Sequence, residues 1–259
     1  MKSMKLTVKR LSVAVVAVLV SATAIGAEKS AFLRLERDFA TTKEVEASPL
    51  YRKKIAFIGD SYVQNHARPI SESWHYLLAE KYQMHYWNFG RNGNCMVLPR
   101  SQGEKTMCKR YVDIPKDVDY IVVVGGHNDT GVLRRLGDGV AEADAAEVRA
   151  KQEALLAEFK SGFRRFVAAL KADYPKAKIV FVTPWAVDRP FFPEIIATIK
   201  AETAVAGVSC YDAASLSGVN PNDAEYRKRY FQSTKDTAHL NAAGHKRMFG
   251  KIESFFNSL

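Results

Sequence analysis

Two stretches of this 259-residue chain, Ile121-Val122-Val123-Val124 and Ile179-Val180-Phe181-Val182, are continuously apolar and rich in β-branched residues. A strand that faces water on one side alternates polar and apolar residues. An unbroken run belongs to a strand covered on both faces, as in the middle of a parallel sheet. Between the two lies a segment, 147–170, whose Val148, Leu155, Leu156, Phe159, Phe163, Phe166, Val167 and Leu170 fall on one stripe of a 3.6-residue period. This rhythm of strand, helix and strand extends in both directions. Segments 55–59, 85–89 and 208–212 are further strand candidates, and 120–125 and 178–183 bound the two central ones. Segments 73–81, 193–204 and 241–256 are helix candidates, the last with Asn241 as N-cap. The pattern predicts an α/β fold of repeated βα units around a parallel sheet.

The regular pattern begins at Lys54. Ahead of it, Lys2, Lys5, Lys9 and Arg10 precede an apolar run at 11–20, and Ala22-Thr23-Ala24 or Ile25-Gly26-Ala27 offers a small-residue cleavage site. This reads as a secretory signal peptide over 1–27, with an apolar run shorter than the roughly 20 residues of a membrane span. The chain is therefore expected to be exported, to a periplasm or the outside, without stable membrane insertion. The alternative is an uncleaved N-terminal anchor. Residues 28–53 show no sustained period and read as an extended lead-in on the surface of one domain spanning 54–259.

Loss of 1–27 removes four basic and no acidic residues, so the formal charge of +10 falls to +6. The basic residues stand in short groups such as Arg52-Lys53-Lys54 and Arg227-Lys228-Arg229, with no nucleic-acid motif beside them. Nucleic acid is not an expected partner. Of the three cysteines, Cys210 lies in an apolar, strand-like run and reads as a buried thiol. Cys95 and Cys108 lie close together among loop residues, and export into an oxidising space predicts a Cys95–Cys108 disulfide. The alternative is three reduced thiols.

Four short blocks carry residues capable of chemistry. Gly59-Asp60-Ser61 ends the first strand candidate, where open α/β sheets bind ligands. Asn88-Phe89-Gly90-Arg91-Asn92-Gly93-Asn94 follows the second, with glycines that let a backbone amide approach a ligand. Gly125-Gly126-His127-Asn128-Asp129 follows the third and holds an amide able to donate to an oxyanion. Asp236-Thr237-Ala238-His239 precedes the last helix, and a carboxylate three residues before a histidine can orient its ring. Taken singly, each block is also an ordinary turn or cap. Taken together, they supply a hydroxyl nucleophile, oxyanion donors, and a base with its orienting carboxylate, which is the set needed for acyl transfer. His127 is read as a wall residue and Asp60 as a brace of the turn.

At these residues the sequence resembles the SGNH (GDSL-like) hydrolase superfamily, over 54 to about 250. Gly59-Asp60-Ser61 looks like the nucleophile block, Asn128 like the oxyanion asparagine, and Asp236 with His239 like the closing Asp-x-x-His. Gly93, five residues after Asn88 as in the family pattern, looks like the oxyanion glycine and is preferred to Gly90. Tyr62 stands where the namesake motif has leucine. The resemblance implies a flavodoxin-like three-layer α/β/α sandwich with a five-stranded parallel sheet. It also implies ester hydrolysis without metal or other cofactor: Ser61, His239 and Asp236 catalytic, with Ser61, Gly93 and Asn128 forming the oxyanion hole.

The long loops at 91–117 and 131–146 follow no family pattern, and such loops shape a pocket. Polar loops and the lack of a strongly apolar lid favour a secreted serine esterase that removes O-acetyl groups from a carbohydrate. A lipase, lysophospholipase or thioesterase on the same fold is the alternative, and a catalytically silent glycan-binding module is another. A metal-dependent phosphoesterase lacks support because no zinc-ligand spacing appears. Trp87, Trp185 and Tyr62, near strand ends, could offer stacking faces for sugars, although aromatic residues at such positions are more often core.

Overall fold

The computed structural model describes residues 42–259 and, ahead of them, the short strand Ala31–Leu33. The expected signal peptide over 1–27 lies outside the described residues, as does much of the 28–53 lead-in. Among the described residues, six strands form one sheet: β1 (Ala31–Leu33), β2 (Lys54–Gly59), β3 (His85–Gly90), β4 (Tyr120–Val124), β5 (Lys178–Val182) and β6 (Ser209–Tyr211). Their order is β1-β3-β2-β4-β5-β6. β2 to β6 are mutually parallel, the five-stranded sheet expected, and β1 adds an antiparallel edge through Ala31↔Asn88 to Leu33↔Tyr86.

Among the described residues, ten α-helices connect and flank the strands: α1 (Lys43–Glu46), α2 (Ser61–Gln64), α3 (Trp74–Lys81), α4 (Met107–Arg110), α5 (His127–Arg135), α6 (Ala145–Asp173), α7 (Phe192–Val205), α8 (Ala213–Leu216), α9 (Ala224–Tyr230) and α10 (Ala242–Asn257). None among the described residues is long and apolar enough to cross a membrane. Their caps follow the local sequence. Ser73 accepts from the Tyr76 amide to open α3, and Asn241 accepts from the Gly244 amide, 3.0 Å, to open α10.

Alternation along each strand sends side chains to two cores. Ile55, Phe57, Tyr120, Val122 and Val180 face α3 and α10, whose Trp74, Leu78, Met248, Ile252 and Phe256 are buried against them. Ala56, Ile58, Ile121, Val123 and Phe181 face the other way, onto the Phe159, Phe163, Phe166, Val167 and Leu170 stripe of α6. Each such large apolar side chain contributes about 1.5–3 kcal/mol by leaving water. This two-sided burial is why the central strands carry unbroken apolar runs.

From β2 the chain passes to β3 on one side and then crosses to β4 on the other. The carboxyl ends of β2 and β4 therefore flank the topological switch point, where the crevice of an open α/β sheet lies.

Candidate active site

The turn after β2 is tight. A Cβ on Gly59 would lie 2.4 Å from Val63 Cγ2 and 2.6 Å from the Val124 carbonyl, so only glycine fits where β2, β4 and α2 converge. Asp60 follows, fully buried, and its Oδ1 accepts from the Tyr62 amide at 2.9 Å, capping α2. Ser61 is thereby the first residue of that helix, almost wholly buried but at the crevice.

The Ser61 hydroxyl meets His239, from a loop 178 residues away, with 2.8 Å between Oγ and Nε2. The other ring nitrogen, Nδ1, lies 2.9 Å from Asp236 Oδ2. Asp236 Oδ1 accepts from the Ala238 and His239 amides at 2.7 and 3.0 Å, so the carboxylate and imidazole are set by one short turn. Burial alone would raise the Asp236 pKa, but the bonds from the His239 ring and these two amides outweigh it and hold the carboxyl below its ordinary range. The loop is fastened at its ends by the Gln232 amide donating to the His239 carbonyl and by the Phe231↔Leu240 bridge. Exposed His66 stacks on the far face of the His239 ring, with centroids 4.1 Å apart.

Asn128 lies near the start of α5, after Gly126, whose φ of 103° suits glycine. Its Nδ2 donates to Asp60 Oδ2 at 3.1 Å and to the Asn94 carbonyl at 3.2 Å. Asp60 thus braces the turn, as expected, and also orients Asn128. Burial is the chief reason the Asp60 pKa is raised to about 7, against the opposing effects of the Tyr62 amide and His239.

Gly93 occupies left-handed backbone, φ 70°, in the loop after β3. The Arg91 amide donates to the Gly59 carbonyl at 3.0 Å and the Asn92 amide to Gln64 Oε1, so this loop is seated on the nucleophile turn.

The loop is held from behind by two residues that the sequence reading did not single out. Buried Arg110 donates to Asn94 Oδ1 through Nε and Nη2 (3.0 and 2.7 Å), and to the Phe89 and Gly59 carbonyls (3.1 and 3.4 Å). Buried Asp129 accepts from the Met96, Val97 and Leu98 amides at 2.8–2.9 Å. Neither role has a local signal: Arg110 reads as one of many basic residues, and Asp129 as part of an Asx turn.

His127, expected as a wall residue, packs between Tyr62 and Phe192. Its Nδ1 lies 2.7 Å from the Tyr62 hydroxyl, its ring stands edge-on to Phe192, and burial lowers its pKa to about 4, keeping it neutral. Tyr62 and Trp185 are core residues rather than sugar platforms, at 3% and 2% exposure, and Trp87 packs partly buried on the α6 side.

The expected Cys95–Cys108 disulfide is absent: all three cysteines are free thiols. The Met107 amide bonds the Cys95 carbonyl and the Cys108 amide bonds the Met96 carbonyl, a register that offsets the two cysteines. Cys95 is fully buried, whereas Cys108 sulfur lies 3.2 Å from the Thr106 hydroxyl. Cys210 is only partly buried.

A parallel sheet of this order, with the serine of a Gly-Asp-Ser turn at its switch point and an Asp-x-x-His loop feeding it, defines an SGNH hydrolase. The model of the GDSL-like Lipase/Acylhydrolase family matches residues 57–247, and the chain belongs to that family. No curated protein sequence matches it. Among solved structures, a Lactobacillus plantarum protein is similar at 24% identity, TM-score 0.63, over 80% of this chain and 98% of its own. A Bacteroides ovatus protein assigned as a GDSL-like lipase is similar at 15% identity, TM-score 0.55, over 80% and 99%. A carbohydrate esterase family 2 enzyme with a carbohydrate-binding domain from Corynascus thermopiles (Myceliophthora fergusii) is similar at 16% identity, TM-score 0.55, over 82% and 67%.

Proposed function

We propose that this GDSL-like hydrolase is an exported serine esterase that removes O-acetyl groups from a carbohydrate. The observation that carries the reading is His239 bridging Ser61 Oγ and Asp236 Oδ2 at 2.8 and 2.9 Å. Ser61 Oγ attacks the ester carbonyl and passes its proton to His239 Nε2, while Asp236 holds the ring with Nδ1 protonated and stabilises the imidazolium. The oxyanion is taken by the Ser61 and Gly93 amides and by Asn128, which exchanges its 3.2 Å bond to the Asn94 carbonyl for the new acceptor. His239 then returns the proton to the departing alcohol as the acyl C–O bond breaks. Water, deprotonated by His239, attacks the acyl-enzyme, releases acetate and restores Ser61.

A sugar ester is supported by the open cleft of about 660 Å³ beside the oxyanion loop, lined by Asn92, Asn94, Ser101 and Gln102 among others. The fold likeness to a carbohydrate esterase agrees with that choice. The test is acetate release from acetylated polysaccharides, with Ser61→Ala as control, alongside a comparison of acetyl and octanoyl esters. Acetate release lost in the variant supports the reading, whereas a preference for octanoyl esters replaces it with a lipase or thioesterase. Export is checked by N-terminal sequencing of the protein recovered outside the cytoplasm, expected to begin near residue 28.

A further inference from the structure

The same cleft is strongly basic. Arg91, Arg100 and Arg135 line it, with Glu104 as the one carboxylate among its lining residues. That carboxylate is occupied by the protein itself. Its Oε1 accepts from Asn94 Nδ2 and the Cys95 amide at 3.0 and 3.2 Å, and its Oε2 accepts from the Arg100 amide at 2.5 Å. The guanidinium of Arg100 reaches it only at 4.0 Å through Nε. The cleft therefore carries an excess of positive charge.

Its position ties it to the candidate chemistry. A Cβ on Gly93 would lie 2.6 Å from both terminal nitrogens of Arg100, so that guanidinium rests directly on the oxyanion glycine. Arg135 follows Asn128 by seven residues on α5, hence two turns along the same helix face and about 10 Å away. Gly131 stands between them. Glycine is unfavourable inside a helix, and here a Cβ would meet nothing within 4 Å except Arg135 Nη1, at 3.5 Å. No packing demand within reach explains this glycine. The missing side chain lets the Arg135 guanidinium fold back over Gly131, toward Asn128.

Resting on the esterase reading of this site, we infer that the cleft is an anion subsite, so that the ester substrate is an acidic saccharide bearing a carboxylate or phosphate group near the acylated position. Arg135 and Arg100 bind that group, and the polar cleft they line accommodates the sugar that carries it. A basic, polar cleft of this kind disfavours a long acyl chain.

The test follows hydrolysis of a neutral ester, 4-nitrophenyl acetate, at low salt with added competitors. Oligogalacturonate is expected to inhibit competitively where a xylo-oligosaccharide of equal length does not. Inorganic phosphate forms the second arm, and whichever anion competes more strongly identifies carboxylate or phosphate as the recognised group. Arg135→Glu is expected to raise the inhibition constant about tenfold or more, the loss of one charged contact, with Arg135→Lys retaining most of the binding. Equal inhibition by acidic and neutral saccharides, no competition by either anion, or an inhibition constant that Arg135→Glu leaves unmoved overturns the subsite while the esterase reading stands. Absence of any ester turnover by the wild type overturns the esterase reading and the subsite with it.

Discussion

The ring of Tyr62 lies flat on Trp185, centroids 4.0 Å apart and planes 14° from parallel. Tyr62 immediately follows the candidate nucleophile, and the Trp185 indole N–H donates to the Thr237 carbonyl at 3.0 Å, inside the turn that carries Asp236 and His239. One aromatic pair therefore ties the two halves of the site together. This accounts for a tyrosine where the family motif has leucine: a flat ring can stack on the indole, and its hydroxyl reaches His127.

Trp185→Phe keeps a stacked ring but leaves the Thr237 carbonyl without its donor. It is expected to cost about 0.5–1.5 kcal/mol, a melting temperature lower by roughly 1–6 °C. The rate constant kcat should fall several-fold with KM little changed, because the loosened turn misplaces the imidazole rather than the substrate. Trp185→Ala removes the stack as well and is expected to cost about 3–5 kcal/mol. Thermal unfolding and steady-state kinetics on both variants check this.

Asp236→Asn tests the carboxylate through a tautomer. The asparagine Oδ1 can still accept from the Ala238 and His239 amides, but its NH₂ then faces His239 Nδ1. That arrangement makes Nδ1 an acceptor and moves the ring proton to Nε2, where it blocks uptake of the Ser61 proton. A loss in kcat on the order of 10⁴, with thermal stability nearly unchanged, is expected. Activity within a few-fold of wild type removes Asp236 from the mechanism.

Asp60 imposes a pH dependence on stability. With its pKa raised by burial from an ordinary 3.8 to about 7, the folded chain binds this proton more tightly than the unfolded chain. Its contribution is complete below the unfolded value and is lost as pH rises through the folded one, with a slope of at most about 1.4 kcal/mol per pH unit in between. The stability of the wild type relative to Asp60→Asn is therefore expected to fall between about pH 4 and about pH 7, measured by urea unfolding of both proteins. The same variant offers one carboxamide oxygen where Tyr62 and Asn128 each need an acceptor, so turnover should drop at every pH.

Cysteine chemistry distinguishes free thiols from a bridge. Burial pushes the Cys95 thiol far up and the Cys210 thiol to about 11, which makes both poor nucleophiles in the folded chain. Iodoacetamide is expected to leave native Cys95 and Cys210 largely unmodified, and to label all three after denaturation without reductant. A mass increase of one carbamidomethyl group in the denatured protein would instead reveal a Cys95–Cys108 bridge.

The five parallel strands and the long helices were legible because each carries its own period or run. Residues 178–183 differ from β5 by one residue at one end, and 193–204 differ from α7 by one residue at each end. The helix His127–Arg135 was not visible: Gly131 breaks helix propensity, and the segment read as the start of an irregular loop. Strand β1 was hidden for another reason. Its pairing partner is an edge of the sheet some 50 residues away, and three residues are too short to establish a period.

In the site, the blocks holding Ser61, Asn128, Asp236 and His239 were legible as residue types at strand ends. The buried supports Arg110 and Asp129 were not: Asp129 binds backbone amides, and Arg110 binds backbone carbonyls and the side chain of Asn94 sixteen residues away, none of which leaves a local mark in a sequence.

Because Asp236 and His239 belong to the same four-residue turn and are bonded through both side chain and main chain, the pair behaves as a single rigid lever. Any hinging of the segment 231–241 against the sheet would leave that lever intact while changing its gaps to the Ser61 hydroxyl and to the Trp185 indole. On the proposed mechanism, agents that rigidify or loosen the segment 231–241 should therefore tune turnover through the approach of His239 to Ser61, without altering the pairing of Asp236 with His239.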